Sequence, residues 1–131
     1  MKIVVWNANG LNQRALQLKH FLIAQKIYIA LISETHFTAK SFIEIPFYDA
    51  LTTNHPIGKG HRCGTAVIFK KSLKCTELQP YQFEHIQSTT IKIKYKFGDI
   101  TISSIYSPPK HFITSDEFFN YLKTLGDRFQ D

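Results

Sequence analysis

Ile27-Tyr28-Ile29-Ala30-Leu31-Ile32 runs directly into Ser33-Glu34-Thr35-His36, and the reading of this join decides the fold. Six consecutive apolar residues read as a strand buried on both faces, as in a sheet layered between other elements. An acid at the end of such a strand calls for a reason, because a carboxylate at the rim of a core costs desolvation free energy unless something compensates it. A divalent cation compensates it well. Carboxylate oxygens suit a hard ion such as magnesium, which keeps several waters and takes one or two protein carboxylates beside substrate phosphates. Solvent at a plain strand end would explain Glu34 alone equally well.

Two further strand ends weigh on that choice. Lys2-Ile3-Val4-Val5-Trp6 leads into Asn7-Ala8-Asn9-Gly10-Leu11-Asn12. A turn and a helix cap, from Asn9 or Asn12, account for Gly10 and one asparagine but not for three asparagines within six residues. The run from Ile100 ends at Tyr106-Ser107-Pro108-Pro109. Three hydrophobic strands thus end in groups suited to phosphate and metal, at the rim where ligands collect in α/β sheets.

In this order, Trp6-Asn7-Ala8-Asn9-Gly10-Leu11, Ser33-Glu34-Thr35-His36, Gly64-Thr65-Ala66-Val67-Ile68 and Ile105-Tyr106-Ser107-Pro108-Pro109 resemble the endonuclease/exonuclease/phosphatase superfamily. Within it, Thr53 to His61 is similar to endonuclease domains of jockey-type non-LTR retrotransposons. The likeness spans essentially the whole chain. It implies the N-terminal half of a deoxyribonuclease-I-like α/β sandwich: a mixed β-sheet with helices on its outer face, each half of the domain supplying roughly one sheet. Residues 1–131 would be a partial domain, cut before its second half. Without that half, an inward face carrying Val4, Trp6, Ile29, Leu31 and Ile68 is expected to lie bare.

The resemblance also assigns roles. Glu34 would be the ligand of magnesium, with manganese as the alternative. Asn7 would stand beside the metal, Tyr106 near the scissile phosphate, and Asn9 and His36 in support, His36 through a hydrogen bond. Family members add a Gly-Asp-x-Asn strand end, a further Asp and a C-terminal Asp-His pair. None of these follows Tyr106 here; Gly126-Asp127 is followed by Arg128-Phe129. About half of an active site is therefore expected, and no meaningful nuclease activity from the isolated chain. The activity implied is nicking of target DNA to prime reverse transcription, with a reverse transcriptase downstream and a nuclear, intracellular setting. A same-fold phosphodiesterase or phosphatase acting on another substrate, and a non-catalytic remnant binding nucleic acid, remain alternatives.

At 131 residues the chain has the size of one ordinary domain, and its 44% hydrophobic content excludes a disordered tail. A formal charge of +6 suits a polyanionic partner. Lys59 and Arg62, in the polar loop after Asn54, are the candidate DNA-backbone contacts, set against an ordinary surface loop. Lys92, Lys94 and Lys96 alternate with apolar residues and read as the solvated face of a strand. No apolar stretch is long enough to span a bilayer, and no signal peptide is evident. Cys63 and Cys75 would be free thiols in a reducing compartment or one disulfide in a secreted protein; with His55 and His61 they match no standard zinc spacing.

The remaining pattern predicts a helix over 12–26, strands near 47–52 and 65–69, and a hairpin of 86–97 with 100–106 turning at Gly98-Asp99. Thr114-Ser115-Asp116-Glu117 reads as a capping box opening a helix over 115–125. Phe118, Phe119, Leu122 and Leu125 would be its buried face and Gly126 its stop.

Overall fold

The computed structural model describes residues 1–54, 63–83, 86–107 and 113–129. The chain runs β1 (Ile3–Asn7), a 3-10 turn (Asn12–Arg14), α1 (Ala15–Ala24), β2 (Ile29–Ser33), β3 (Tyr48–Thr53), β4 (Thr65–Lys70), β5 (Cys75–Phe83), β6 (Ile86–Tyr95), β7 (Gly98–Tyr106) and α2 (Ser115–Phe129). Four strands form one sheet in the order β1-β2-β4-β3, and three form a second in the order β5-β6-β7. Strand β1 lies parallel to β2, with α1 as the crossover; all other pairs are antiparallel.

The two faces of β2 explain its unbroken apolar run. Ala30 and Ile32 pack with Ile68 against Leu18 and Leu22 of α1. Ile29 packs on the other side with Val67 and Phe69 against Ile91 and Ile93 of the second sheet. Both faces are buried, so period-2 alternation has nothing to discriminate.

This overturns the expected bare face. Ile29 is fully buried because the chain carries strands of both sheets, not one, while Ile68 lies on the opposite face and is fully buried against α1. What stays open is β1, an edge strand on which Val5 is 77% exposed.

Other departures have local causes. Strand β5 was not evident from sequence because Pro80 interrupts it; the register slips between Leu78 and Tyr81, and β5 is an edge strand, where such a bulge is tolerated. The β6–β7 hairpin pairs Tyr95 with Gly98, so Lys96 and Phe97 form the turn and Gly98-Asp99 already belong to β7. No asparagine side chain caps the first helical turns.

In α2 the capping box forms: the Glu117 N–H donates to Thr114 Oγ1, and the Thr114 N–H donates to Glu117 Oε2, each at 3.1 Å. The helix continues through Gly126 to Phe129. Among its described side chains the buried one is Tyr121, fully enclosed and edge-on to Tyr81, whereas Phe119 is 65% exposed and Phe118 and Leu122 are about half exposed; the Leu125 side chain lies outside the described ones. No helix among the described residues is long and apolar enough to cross a membrane.

Candidate active site

The end of β2 is held from three sides. On the β1 side, the Ala8, Gly10 and Leu11 N–H groups donate to the carbonyls of Ser33, Glu34 and Thr35 at 2.9, 2.9 and 3.0 Å. On the β4 side, the Thr35 N–H donates to Gly64 O at 3.3 Å and the His36 N–H to Cys63 O at 2.9 Å. Parallel pairing sets Asn7 opposite Ser33, one residue before Glu34.

The third side is the second sheet. Strands β6 and β7 pair Gln87 with Tyr106, and Gln87 Oε1 accepts the Gly64 N–H at 2.9 Å. Ser104 Oγ donates to Ile32 O at 2.8 Å. Thr89 hydrogen-bonds the hydroxyls of Thr53 and Thr65, each at 2.8 Å, in the buried layer between the sheets. These contacts dock the end of β7 onto the end of β2, and the Tyr106 phenol donates to Glu34 Oε1 at 2.7 Å.

Backbone strain gathers at this rim. Glu34, His36 and Asn9 have φ of 54°, 56° and 45°, in the left-handed region that costs side-chain-bearing residues about 1–3 kcal/mol each. Gly64, at φ +108°, has no room for more: an added Cβ would sit 2.2 Å from Thr35 Oγ1.

The electrostatics are one-sided. Among the described residues no cation pairs with Glu34, and its only side-chain hydrogen bond is the one from Tyr106. Burial pushes the Tyr106 phenol well above its usual range, and the bond to Glu34 and its charge push it further. The Cys63 thiol is raised by burial and then by the same carboxylate. The Glu34 carboxylate is half-buried and has no cationic partner among the described residues, which favours a bound cation.

The residues fit a divalent ion as a single-carboxylate corner. No group of three His, Cys, Asp or Glu side chains gathers among the described residues, so the site supplies one acid and not a closed cage. Magnesium accepts such a site, completing its shell with water and phosphate.

The sequence-predicted residues divide clearly. Glu34 and Tyr106 meet directly, and Asn7 lies at the neighbouring strand end. Asn7 Oδ1 accepts the Asn9 N–H at 3.1 Å, closing an Asx turn that holds Asn9 in its left-handed backbone. His36 makes no side-chain bond to Glu34; its N–H holds the loop instead, and its buried Nε2 has no hydrogen-bond partner among the described residues. Lys59 and Arg62 lie outside the described residues. Gln87 was not singled out from sequence; its only signal there is a polar side chain at an inward-facing position of β6.

The chain belongs to the Endonuclease/Exonuclease/phosphatase family, whose model matches residues 4–128. Among curated proteins it is 32% identical over 129 residues to the RNA-directed DNA polymerase from mobile element jockey of Drosophila melanogaster. It is 30% identical over 129 residues to the probable RNA-directed DNA polymerase from transposon X-element of the same organism. Each alignment covers 98% of this chain but only 14% of the relative. Among solved structures, the endonuclease domain of TRAS1, a telomere-specific non-LTR retrotransposon, superposes with a TM-score of 0.67 at 17% identity, covering 95% of this chain and 52% of that one. A Leptotrichia buccalis family protein gives 0.64 at 19% identity, covering all of this chain and 62% of that one. The resemblance is thus to the N-terminal part of a jockey-type retrotransposon endonuclease domain.

Proposed function

We propose that the chain is the first half of a metal-dependent DNA endonuclease domain of a non-LTR retrotransposon, nicking target DNA so that the freed 3′ end primes reverse transcription. The carrying observation is the half-buried Glu34 carboxylate, held by Tyr106 at 2.7 Å and without a cationic partner among the described residues. Glu34 would hold magnesium or manganese, and a bound ion of this kind polarises a phosphoryl oxygen.

The other residues serve that geometry. Asn7 shapes the β1 loop through Asn9 and places the loop against Glu34. Tyr106 has one O–H to give, and it is donated to Glu34. With a cation held by Glu34, which would take up the carboxylate's charge, the Tyr106 phenol would be available to donate to a phosphate oxygen. Burial and the neighbouring acid keep that proton in place at neutral pH. His36 supports the loop through its backbone, and Lys59 and Arg62 would meet the DNA backbone.

The 52% coverage of the TRAS1 domain supports reading residues 1–131 as part of a larger domain, with a reverse transcriptase downstream as in the relatives' names and a nuclear site of action. General-base machinery then comes from the second half. A plasmid-nicking assay in magnesium tests this. The isolated chain gives no nicked product, whereas a protein containing the second half nicks, and Glu34→Ala abolishes the activity. Turnover by the isolated chain would refute the division of the site, and full activity of the Glu34→Ala protein would refute the site.

A further inference from the structure

The two sheets are aligned, so they share a second end. From the Glu34–Tyr106 corner, β4 runs from Thr65 to Lys70 and β6 runs from Gln87 towards Tyr95. At the far end the Lys94 N–H donates to Lys74 O at 3.3 Å, joining the turn after β4 to the end of β6. Lys26, Lys70 and Lys71 line a concavity of about 400 Å³ there, with Phe47 on its wall.

Lysines dominate this end. Lys26, Lys71, Lys74, Lys94 and Lys96 have no ion pair among the described residues, and Lys70 lies over the Tyr28 ring at 4.3 Å. Of the nearby acids, Asp99 is taken by Lys92 at 3.6 Å, while Glu44 and Asp49 line a neighbouring concavity with Lys19 and Lys71. Like charges within a Debye length, about 10 Å at moderate salt, repel one another, so the cluster favours a polyanion.

Two aromatic rings stand out beside the lysines. Phe47 is 77% exposed and held at φ 71°, an uncommon backbone for a bulky residue, anchored where the Lys71 N–H donates to Phe47 O at 2.9 Å. Phe97, in the β6–β7 turn, is 96% exposed. Neither ring gains burial from its position. Exposed rings among lysines are the chemistry of single-stranded nucleic-acid binding, in which cations hold phosphates and rings stack on unpaired bases.

We propose that this end is a second nucleic-acid site, which binds a single strand through Lys70, Lys71 and Lys74 and stacks bases on Phe47 and Phe97. It does not depend on the nuclease reading and holds whether or not Glu34 binds a metal.

Fluorescence anisotropy with a short labelled oligothymidylate tests it on the 131-residue chain. Lys70→Ala/Lys71→Ala/Lys74→Ala should weaken binding at least about tenfold and lower the slope of log affinity against log salt by about 2, at roughly 0.7 per phosphate contact. Phe47→Ala/Phe97→Ala should weaken binding about tenfold or more with the slope unchanged. Lys40→Ala/Lys123→Ala, elsewhere on the surface, should leave affinity intact. Equal losses from the lysine triple and the Lys40/Lys123 control would overturn the proposal, because diffuse charge would then explain binding. So would a preference for duplex that the phenylalanine changes do not touch.

Discussion

Tyr106 and Glu34, 72 residues apart in sequence, meet through a 2.7 Å hydrogen bond that ties the end of β7 to the end of β2 across the sheet interface. The bond joins the two sheets at the point where left-handed backbone, a half-buried carboxylate and a buried phenol coincide.

The bond has a signature in alkali. Tyr106 is raised in the folded state, so above pH about 10 the folded protein holds a proton that the unfolded chain releases. Its contribution to stability is complete below that pH and falls as pH rises beyond it. Urea denaturation of Tyr106→Phe should therefore show a shallower alkaline loss than wild type, by up to about 1.4 kcal/mol per pH unit. Parallel curves for the two proteins would show that Tyr106 ionises as it does in the unfolded chain.

Gly64 is fixed by space and by backbone together. Gly64→Ala must relieve a 2.2 Å approach to Thr35 Oγ1 at φ +108°, and should cost about 3 kcal/mol in urea denaturation. Adding Thr35→Ala removes the clashing oxygen, so the double variant should lose less than the sum of the single losses. Additive losses would assign the cost to backbone alone.

The hydroxyl layer between the sheets predicts a third result. Thr89 bonds both Thr53 and Thr65, so Thr89→Val keeps the shape, strands the buried Thr65 hydroxyl and leaves the Thr53 hydroxyl only its bond to Ser88 O. The cost should be about 1–3 kcal/mol. A neutral substitution would mean that Thr53 and Thr65 find other partners.

Helix α2 gives the sharpest contrast with its sequence pattern. Tyr121→Ala should cost about 3–5 kcal/mol because the ring is fully enclosed, while Phe119→Ala should cost under about 0.5 kcal/mol. The reverse order in thermal or urea unfolding would mean that the helix docks by its phenylalanine stripe.

That contrast marks how far the sequence is legible. β2, β4 and the acid, amide and phenol at their strand ends are readable because buried runs and polar termini are local patterns. Tyr121 is not, since helical spacing picks out an apolar stripe without saying which face meets the sheet. β5 hides behind Pro80, which is allowed only because the strand is an edge. Gln87 is equally invisible, because its role arises from register pairing with Tyr106 and a bond to Gly64 formed only in three dimensions. The covered face of Ile29 required knowing that a second sheet follows in the same chain.

The most direct measurement is a manganese titration of the isolated chain followed by amide NMR, in which paramagnetic broadening marks the nearest nuclei. Signals of Asn9, Gly10, Glu34 and Thr35 should broaden first and saturably, and Glu34→Gln should abolish the effect. Broadening centred elsewhere, or unchanged in Glu34→Gln, would contradict the assignment of this corner as a cation site.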